Sequence, residues 1–141
     1  MPTFHHATLD KIDSATLYRI MVLRTDVFVF EQGIVSEPEL DGRDLEPTTT
    51  HFWAEEDGEV LATLRVLADE PTVHLGRVAT AATARRRGLA GLLLEAVFDQ
   101  FPGPIEISAQ AYLEKWYGRF GFRRMSENYL EAGIDHLLMK R

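Results

Sequence analysis

Apolar residues recur at two different periods along the chain, and the switches between them predict its elements. Leu17, Ile20, Met21, Val27 and Phe28 fall at helical spacing behind Asp13 and Ser14. Either of those side chains can accept from the first free amides of a helix, so a helix begins there, and Gly33 ends it. Phe4 to Leu9, ahead of it, reads as a strand. His51 to Glu56 and Glu59 to Leu67 are strand-like runs joined by Asp57-Gly58, a pair suited to the two positive-φ positions of a type I′ turn. Val73 to Thr80 supplies a further strand. Leu89, Leu92, Leu93, Ala96, Val97 and Gln100 then share one helical face, and Pro102-Gly103-Pro104 stops that helix. Ile105 to Ala109 is a short apolar strand. Ala111 to Phe120 is a helix with Leu113, Trp116, Tyr117 and Phe120 on one side and Gly121 just past its end. Phe122 to Ser126 and Asp135 to Arg141 close the chain as strands. Ile34 to Thr50, acidic and without a period, reads as a long surface loop with room for a helical turn, and loops of that length are often functional. Strands, a hairpin and two helices each followed by a strand predict a mixed α/β chain, a sheet with helices on both faces. We expect one domain over residues 1–141, without repeats or linkers.

Composition narrows the chemistry. The chain has no cysteine, which excludes disulfides, thiolate metal sites and a cysteine nucleophile. His5-His6 is too local to hold a metal and no other ligand cluster appears, so no metal is expected. The net charge of −7 is unevenly spread. Met1 to Glu70 has five basic against fifteen acidic residues, a balance of −10, and Pro71 to Arg141 has ten against seven, a balance of +3. An anionic ligand is better served by the second half and a cationic one by the first. No basic face interleaved with aromatics appears, so nucleic acid is not an expected partner. Met1 to Asp13 has no apolar run and no stretch is long enough to span a bilayer. The expectation is a cytoplasmic protein, monomer or homodimer, that does not engage membranes.

The run Arg85-Arg86-Arg87-Gly88-Leu89-Ala90 leaves one strand and opens a helix, and it carries the most chemistry. A helix start leaves backbone N–H groups unpaired and concentrates partial positive charge, so it stabilises an anion. Gly88 and Ala90 let the backbone come close, and arginines there oppose the helix dipole unless an anion joins them. The run reads as a cradle for a pyrophosphate, or as a basic loop that happens to hold a glycine.

Arg85 to Ala90 matches Gln/Arg-x-x-Gly-x-Gly/Ala, and Tyr117-Gly118-Arg119-Phe120-Gly121-Phe122 matches Tyr-x-x-x-Gly-Phe, in the right order and separation. On these motifs the chain resembles the GCN5-related N-acetyltransferase (GNAT) family, which moves an acetyl group from acetyl-CoA to an amine. Leu23 to Gln32, Asp41-Gly42-Arg43-Asp44 and Gly133-Ile134-Asp135-His136 are similar to the family's ElaA-like branch. The resemblance implies a central mixed, mostly antiparallel sheet that splays in a V between its fourth and fifth strands. It implies acetyl-CoA as cosubstrate, with the pyrophosphate on the backbone of Arg86, Arg87, Gly88, Leu89, Ala90 and Gly91. It also implies a pantetheine arm beside Val78, Ala79 and Thr80, with Val78 as donor to the carbonyl oxygen. Arg86 and Arg87 are expected to reach phosphates, while Arg85 is read as structural or as a further contact.

Tyr117 is, by the same resemblance, the acid that protonates the departing thiolate, the alternative being a core aromatic. His74 falls where some members place a catalytic base, or it is an ordinary strand histidine. Arg24 and Glu31, seven residues apart, share the inward stripe at helical spacing and need partners there. They form either a buried ion pair or link to the acidic loop, or the wall of an acceptor cleft with Glu31 holding the amine. Asp41 and Asp44 read as solvated loop charges or as a gate on the cleft, and His51, Glu106 and His136 are reserve candidates. The resulting expectation is direct acetyl transfer to a primary, cationic amine in a ternary complex. Two alternatives stand beside it. One is an acyltransferase like acyl-homoserine-lactone synthases, whose Arg-x-x-Val-Phe segment Arg24 to Phe28 resembles; the other is a non-catalytic acetyl-CoA sensor.

Overall fold

The computed structural model describes residues 1–141. Strands and helices follow as β1 (Thr3–Thr8), α1 (Ser14–Arg24), β2 (Thr49–Glu56), β3 (Glu59–Asp69), β4 (Thr72–Thr80), α2 (Leu89–Gln100), β5 (Ile105–Gln110), α3 (Glu114–Gly118), β6 (Arg123–Arg124), β7 (Tyr129–Glu131) and β8 (Ile134–Lys140). All strands join one sheet in the order β1-β2-β3-β4-β5-β8-β6, with β7 also paired to β8. Every pairing is antiparallel except β4 with β5.

Alternation along the strands sends side chains to two cores. Ile20, Leu23 and Val27 pack with Trp53, Val60 and Ala79 on one face of the sheet. Leu93, Leu94 and Val97 of α2 pack with Phe52, Ala54, Leu64 and Val66 on the other, where Tyr117 and Phe122 join them. The expected α2 stripe is rotated: Leu94 is buried, while Leu92 is 52% exposed. Leu94→Ala is therefore expected to cost about 2–5 kcal/mol and Leu92→Ala to stay within about 0.5 kcal/mol, read from urea unfolding midpoints. Equal costs would mean the face is misassigned.

Asp57 and Gly58 have φ of 53° and 79°, as a type I′ hairpin turn requires. A second such turn, Ala132-Gly133, joins β7 to β8. It escaped prediction because β7 is three exposed residues with no alternation to read. Of the expected strand from Phe122 to Ser126, only Arg123–Arg124 pairs with β8.

The Asp13 carboxylate caps α1 by accepting from the Thr16 amide at 3.2 Å. Past Arg24 the winding changes, and Thr25–Glu31 is a π-helix, which ends near Gly33 at φ 69°. Seven residues make two turns only at 3.6 residues per turn, so Arg24 and Glu31 do not share a stripe as expected. Arg24 turns inward to 1% exposure, and Glu31 is exposed.

Strands β4 and β5 pair only at Val73–Ile105, His74–Glu106 and Leu75–Ile107, then part, which is the expected splay. On its other side β4 is bulged: Gly76 faces Arg65, the next pair is Ala79 with Thr63, and Arg77 takes φ 54°. From Gly76 to Thr80, β4 has no strand beside it on the β5 side.

Candidate active site

The loop from β4 to α2 is built to leave amides free. Gly88 is the residue before α2, at φ 73° and with no side-chain cap, and the first bond of the helix is Leu92 N–H to Gly88 C=O. The N–H groups of Leu89, Ala90 and Gly91 thus have no partner in the chain. A Cβ on Gly88 would touch nothing, so its φ, not protein crowding, requires glycine. At Gly91 a Cβ would come within 3.0 Å of the Phe120 ring, so this glycine leaves room on α2 for the aromatic ring that follows α3.

The three arginines of the loop differ. Arg85 grips the Glu31 carboxylate with both terminal nitrogens and donates to the Thr80 carbonyl at 3.2 Å. Arg87 reaches Glu56 at 3.2 Å. Arg86, at φ 68°, makes no ion pair.

Two clefts open where β4 and β5 part. One, of about 300 Å3, is lined by Glu31, Val78, Ala79, Thr80, Arg85 and Ala90 among others, leading from the splay to the loop. The other, of about 150 Å3, lies toward the acidic loop and β8, with Glu37, Glu39, Ser108, Glu131 and His136 on its walls. Gln32, Val78, Tyr112, Leu113 and Tyr117 line both. Tyr117 is held there by the turn that ends α3. Gly121, at φ 90°, lets its own N–H reach the Gly118 carbonyl at 3.1 Å and the Phe122 N–H reach the Tyr117 carbonyl at 3.3 Å, the paired bonds of a Schellman motif. The Tyr117 ring is 3% exposed, against Trp116 and Phe122. Its hydroxyl makes no hydrogen bond within the chain and is not sealed from the cleft. Burial pushes its pKa well above the usual phenol range.

The acidic loop is not solvated as expected. Asp44 is 4% exposed and accepts from Arg24 at 2.6 Å and Arg65 at 3.1 Å. Asp41 binds Arg65 at 2.7 Å, and Glu39 binds Arg24 at 2.8 Å and Arg77 at 2.9 Å. His51 donates through Nε2 to the Asp44 carbonyl at 3.0 Å. Arg24 therefore serves as the link to the loop, and Glu39, Asp41 and Asp44 are neutralised there by Arg24, Arg65 and Arg77.

His74 sits at the closed end of the splay, half-exposed, 3.8 Å from Glu106, and lines neither cleft. Glu31 lines a cleft, but the Arg85 hydrogen bonds hold its carboxyl below the usual range, which makes it a poor proton acceptor. Arg86, Arg87 and Gly88 on the loop and Leu89 and Gly91 in the first turn of α2 stand beyond the lining, with Ala90 at its edge. Sequence reasoning missed Glu131, Ser108 and Gln32, and held His136 only in reserve. The available signal was the Ala132-Gly133 turn, which folds Glu131 back beside His136.

The parted strands and the uncapped helix behind them are the architecture of acyltransferases of the GNAT fold. The structure of an acyl-CoA N-acyltransferase from Pseudomonas aeruginosa superposes with a TM-score of 0.91 at 38% identity, covering 100% of this chain and 99% of that one. Residues 22–141 match the acetyltransferase (GNAT) domain, and the chain belongs to that family. Within it the chain is 42% identical over 136 residues to UPF0039 protein Rv2851c of Mycobacterium tuberculosis, covering 92% of this chain and 86% of that one. It is 34% identical over 146 residues to protein ElaA of Escherichia coli, covering 97% and 92%. A CoA-dependent acyl-homoserine lactone synthase, BjaI, has a TM-score of 0.81 at 15% identity, a likeness of fold alone.

Proposed function

We propose that the protein transfers an acetyl group from acetyl-CoA to a primary amine, both bound at once, with residues 1–141 acting as one catalytic domain. The observation that carries this reading is the Tyr117 hydroxyl, unpartnered in the chain where the two clefts meet. The donor's polar parts fit what the fold leaves unpaired. Its diphosphate suits the amides from Arg86 to Gly91 together with the Arg86 side chain, and its amide-bearing arm suits the open edge of β4 at Val78, Ala79 and Thr80. Arg85, engaged by Glu31 and Thr80, braces the loop.

When bound, the thioester supplies an acyl carbon activated toward amines. The chain's residues do the rest. The bulge at Arg77 and Val78 breaks the β3–β4 ladder and exposes Val78 to both clefts, where its N–H is the donor to charge developing on the carbonyl oxygen. Tyr117 keeps its proton throughout the working pH range, because burial raises its pKa. A phenol, near 10 even when exposed, gives its proton to a thiolate, near 8.5, only against the gradient. Tyr117 therefore hydrogen-bonds the departing sulfur and releases its proton as the one leaving nitrogen replaces it. A C–N bond forms, a C–S bond breaks, the sulfur leaves as thiol and one proton goes to solvent.

The test combines calorimetry with CoA and thiol release from acetyl-CoA across primary amines. CoA is expected to bind, and Arg86→Ala to weaken it about tenfold. No CoA binding, or binding without thiol release with every amine, would refute the reading.

A further inference from the structure

We propose that His136 takes the proton from the acceptor's ammonium and that Glu131 beside it seats that cation; this rests on the acetyl-transfer reading above. An amine protonated at neutral pH has no lone pair to attack with, so the acceptor side of the site needs a base.

His136 is placed and polarised for that task. Its ring is 7% exposed in the 150 Å3 cleft that Tyr117 also lines. Its Nδ1 lies 2.7 Å from the Ile134 carbonyl, which only accepts, so Nδ1 carries the hydrogen and the neutral ring keeps its lone pair on Nε2. That Nε2 points to Glu131, 3.5 Å from Oε2. The second carboxylate oxygen of Glu131 accepts from Ser108 at 3.2 Å, and Tyr129 stacks on the imidazole at 6.3 Å between centroids. The ring is thus fixed by a backbone carbonyl behind it, an aromatic face beside it and a carboxylate in front.

The other carboxylates of the clefts leave this role open. Glu39 is engaged by Arg24 and Arg77, and Glu31 by Arg85. Glu37 has no ion pair but is exposed on the loop across the cleft. Around His136 the charged and titratable groups are Glu131 and Tyr129 from β7, Tyr112 and Tyr117 from the segment after β5, and Glu37, Glu39 and Arg77 across the cleft. The one cation among them, Arg77, faces Glu39 and Asp41. An ammonium against Glu131 breaks one N–H bond, its electron pair stays on nitrogen, and the proton passes to Nε2. The imidazolium formed is balanced by Glu131, which is itself exposed and returns the proton to water.

The test compares benzylamine, an ammonium at neutral pH, with O-methylhydroxylamine, which is unprotonated there, by thiol release from acetyl-CoA. His136→Gln is expected to lower kcat about 10²-fold with benzylamine and to lose the rising limb of the pH profile. With O-methylhydroxylamine it should lose less than about threefold, and CoA affinity should not change. Glu131→Gln, on the surface, is expected to raise KM for benzylamine about tenfold and leave O-methylhydroxylamine unaffected. Equal losses with both nucleophiles, an unchanged pH profile, or a 15N spectrum placing the neutral ring's hydrogen on Nε2 would overturn the assignment. CoA binding by a wild type that acetylates neither nucleophile would remove the transfer reading and this inference with it.

Discussion

Tyr117→Phe is expected to lower kcat about 10³-fold while changing CoA affinity less than about twofold. The substitution keeps the ring that packs against Trp116 and Phe122 at 4.9 and 5.8 Å between centroids. It removes only a hydroxyl with no partner in the chain, so no buried group is orphaned and the melting temperature should stay within about 1 °C. In the proposed mechanism, without that oxygen the sulfur would depart as a bare thiolate and the proton leaving nitrogen would have no relay. A tyrosine serving only as core packing would predict wild-type turnover, so stopped-flow thiol detection separates the two roles. A normal kcat in a normally folded variant would remove Tyr117 from the chemistry.

Asp44→Ala is expected to cost about 3–5 kcal/mol of folding stability, a large share of the roughly 5–15 kcal/mol that a domain holds. Asp44 bridges Arg24 and Arg65, both nearly inaccessible, and its loss strands two guanidinium charges with one carboxylate fewer between them. Replacing Arg24 and Asp44 together with Met and Leu should recover much of the cost, since the penalty lies in the orphaned charge. Urea midpoints of the three proteins decide it, and a loss under 1 kcal/mol for Asp44→Ala would show that the network is not structural.

The same network sets the acid limit. Burial drives the Asp44 carboxyl up, but Arg24 and Arg65 outweigh it and hold it below its ordinary value; Arg65 does the same for Asp41. The unfolded chain binds these protons near pH 3.9 and the folded chain only lower. Their stabilisation is therefore complete above about pH 5 and lost as pH falls through the folded values. His51 acts earlier in the same direction. Burial depresses its pKa, so the unfolded chain takes up a proton near pH 6.5 that the folded chain refuses. Melting temperature should decline from about pH 6.5 downward and more steeply below pH 4, and Asp44→Asn should flatten the lower limb.

What could be read in the sequence followed from local rules. Asp57-Gly58, the Asp13 cap, Gly121 after the last helix and the glycine-bearing loop before α2 each require a particular backbone, and each appears where that requirement placed it. Long-range terms were not legible. A regular period carried past Arg24 put Glu31 inside, whereas the π-helix turns it out to Arg85. Counting back from Arg85 brought out His74, but the bulge at Arg77 and the parting of β5 put the cleft further along β4. The acidic loop looked solvated because its partners Arg24, Arg65 and Arg77 come from three separate elements. His136 gained weight only when a hairpin too short to show a pattern brought Glu131 beside it.

The missing neighbour along β4 from Gly76 to Thr80 has a bearing on the lifetime of the protein. A cosubstrate arm lying there would act as a strut between two halves of the sheet whose strands are laddered at only three residue pairs. Occupancy and resistance to unfolding then rise together, by about 2.7 kcal/mol at a hundredfold excess over the dissociation constant. Proteolytic survival in a cell would then follow the supply of thioester, so that abundance as well as rate reports on the metabolic state.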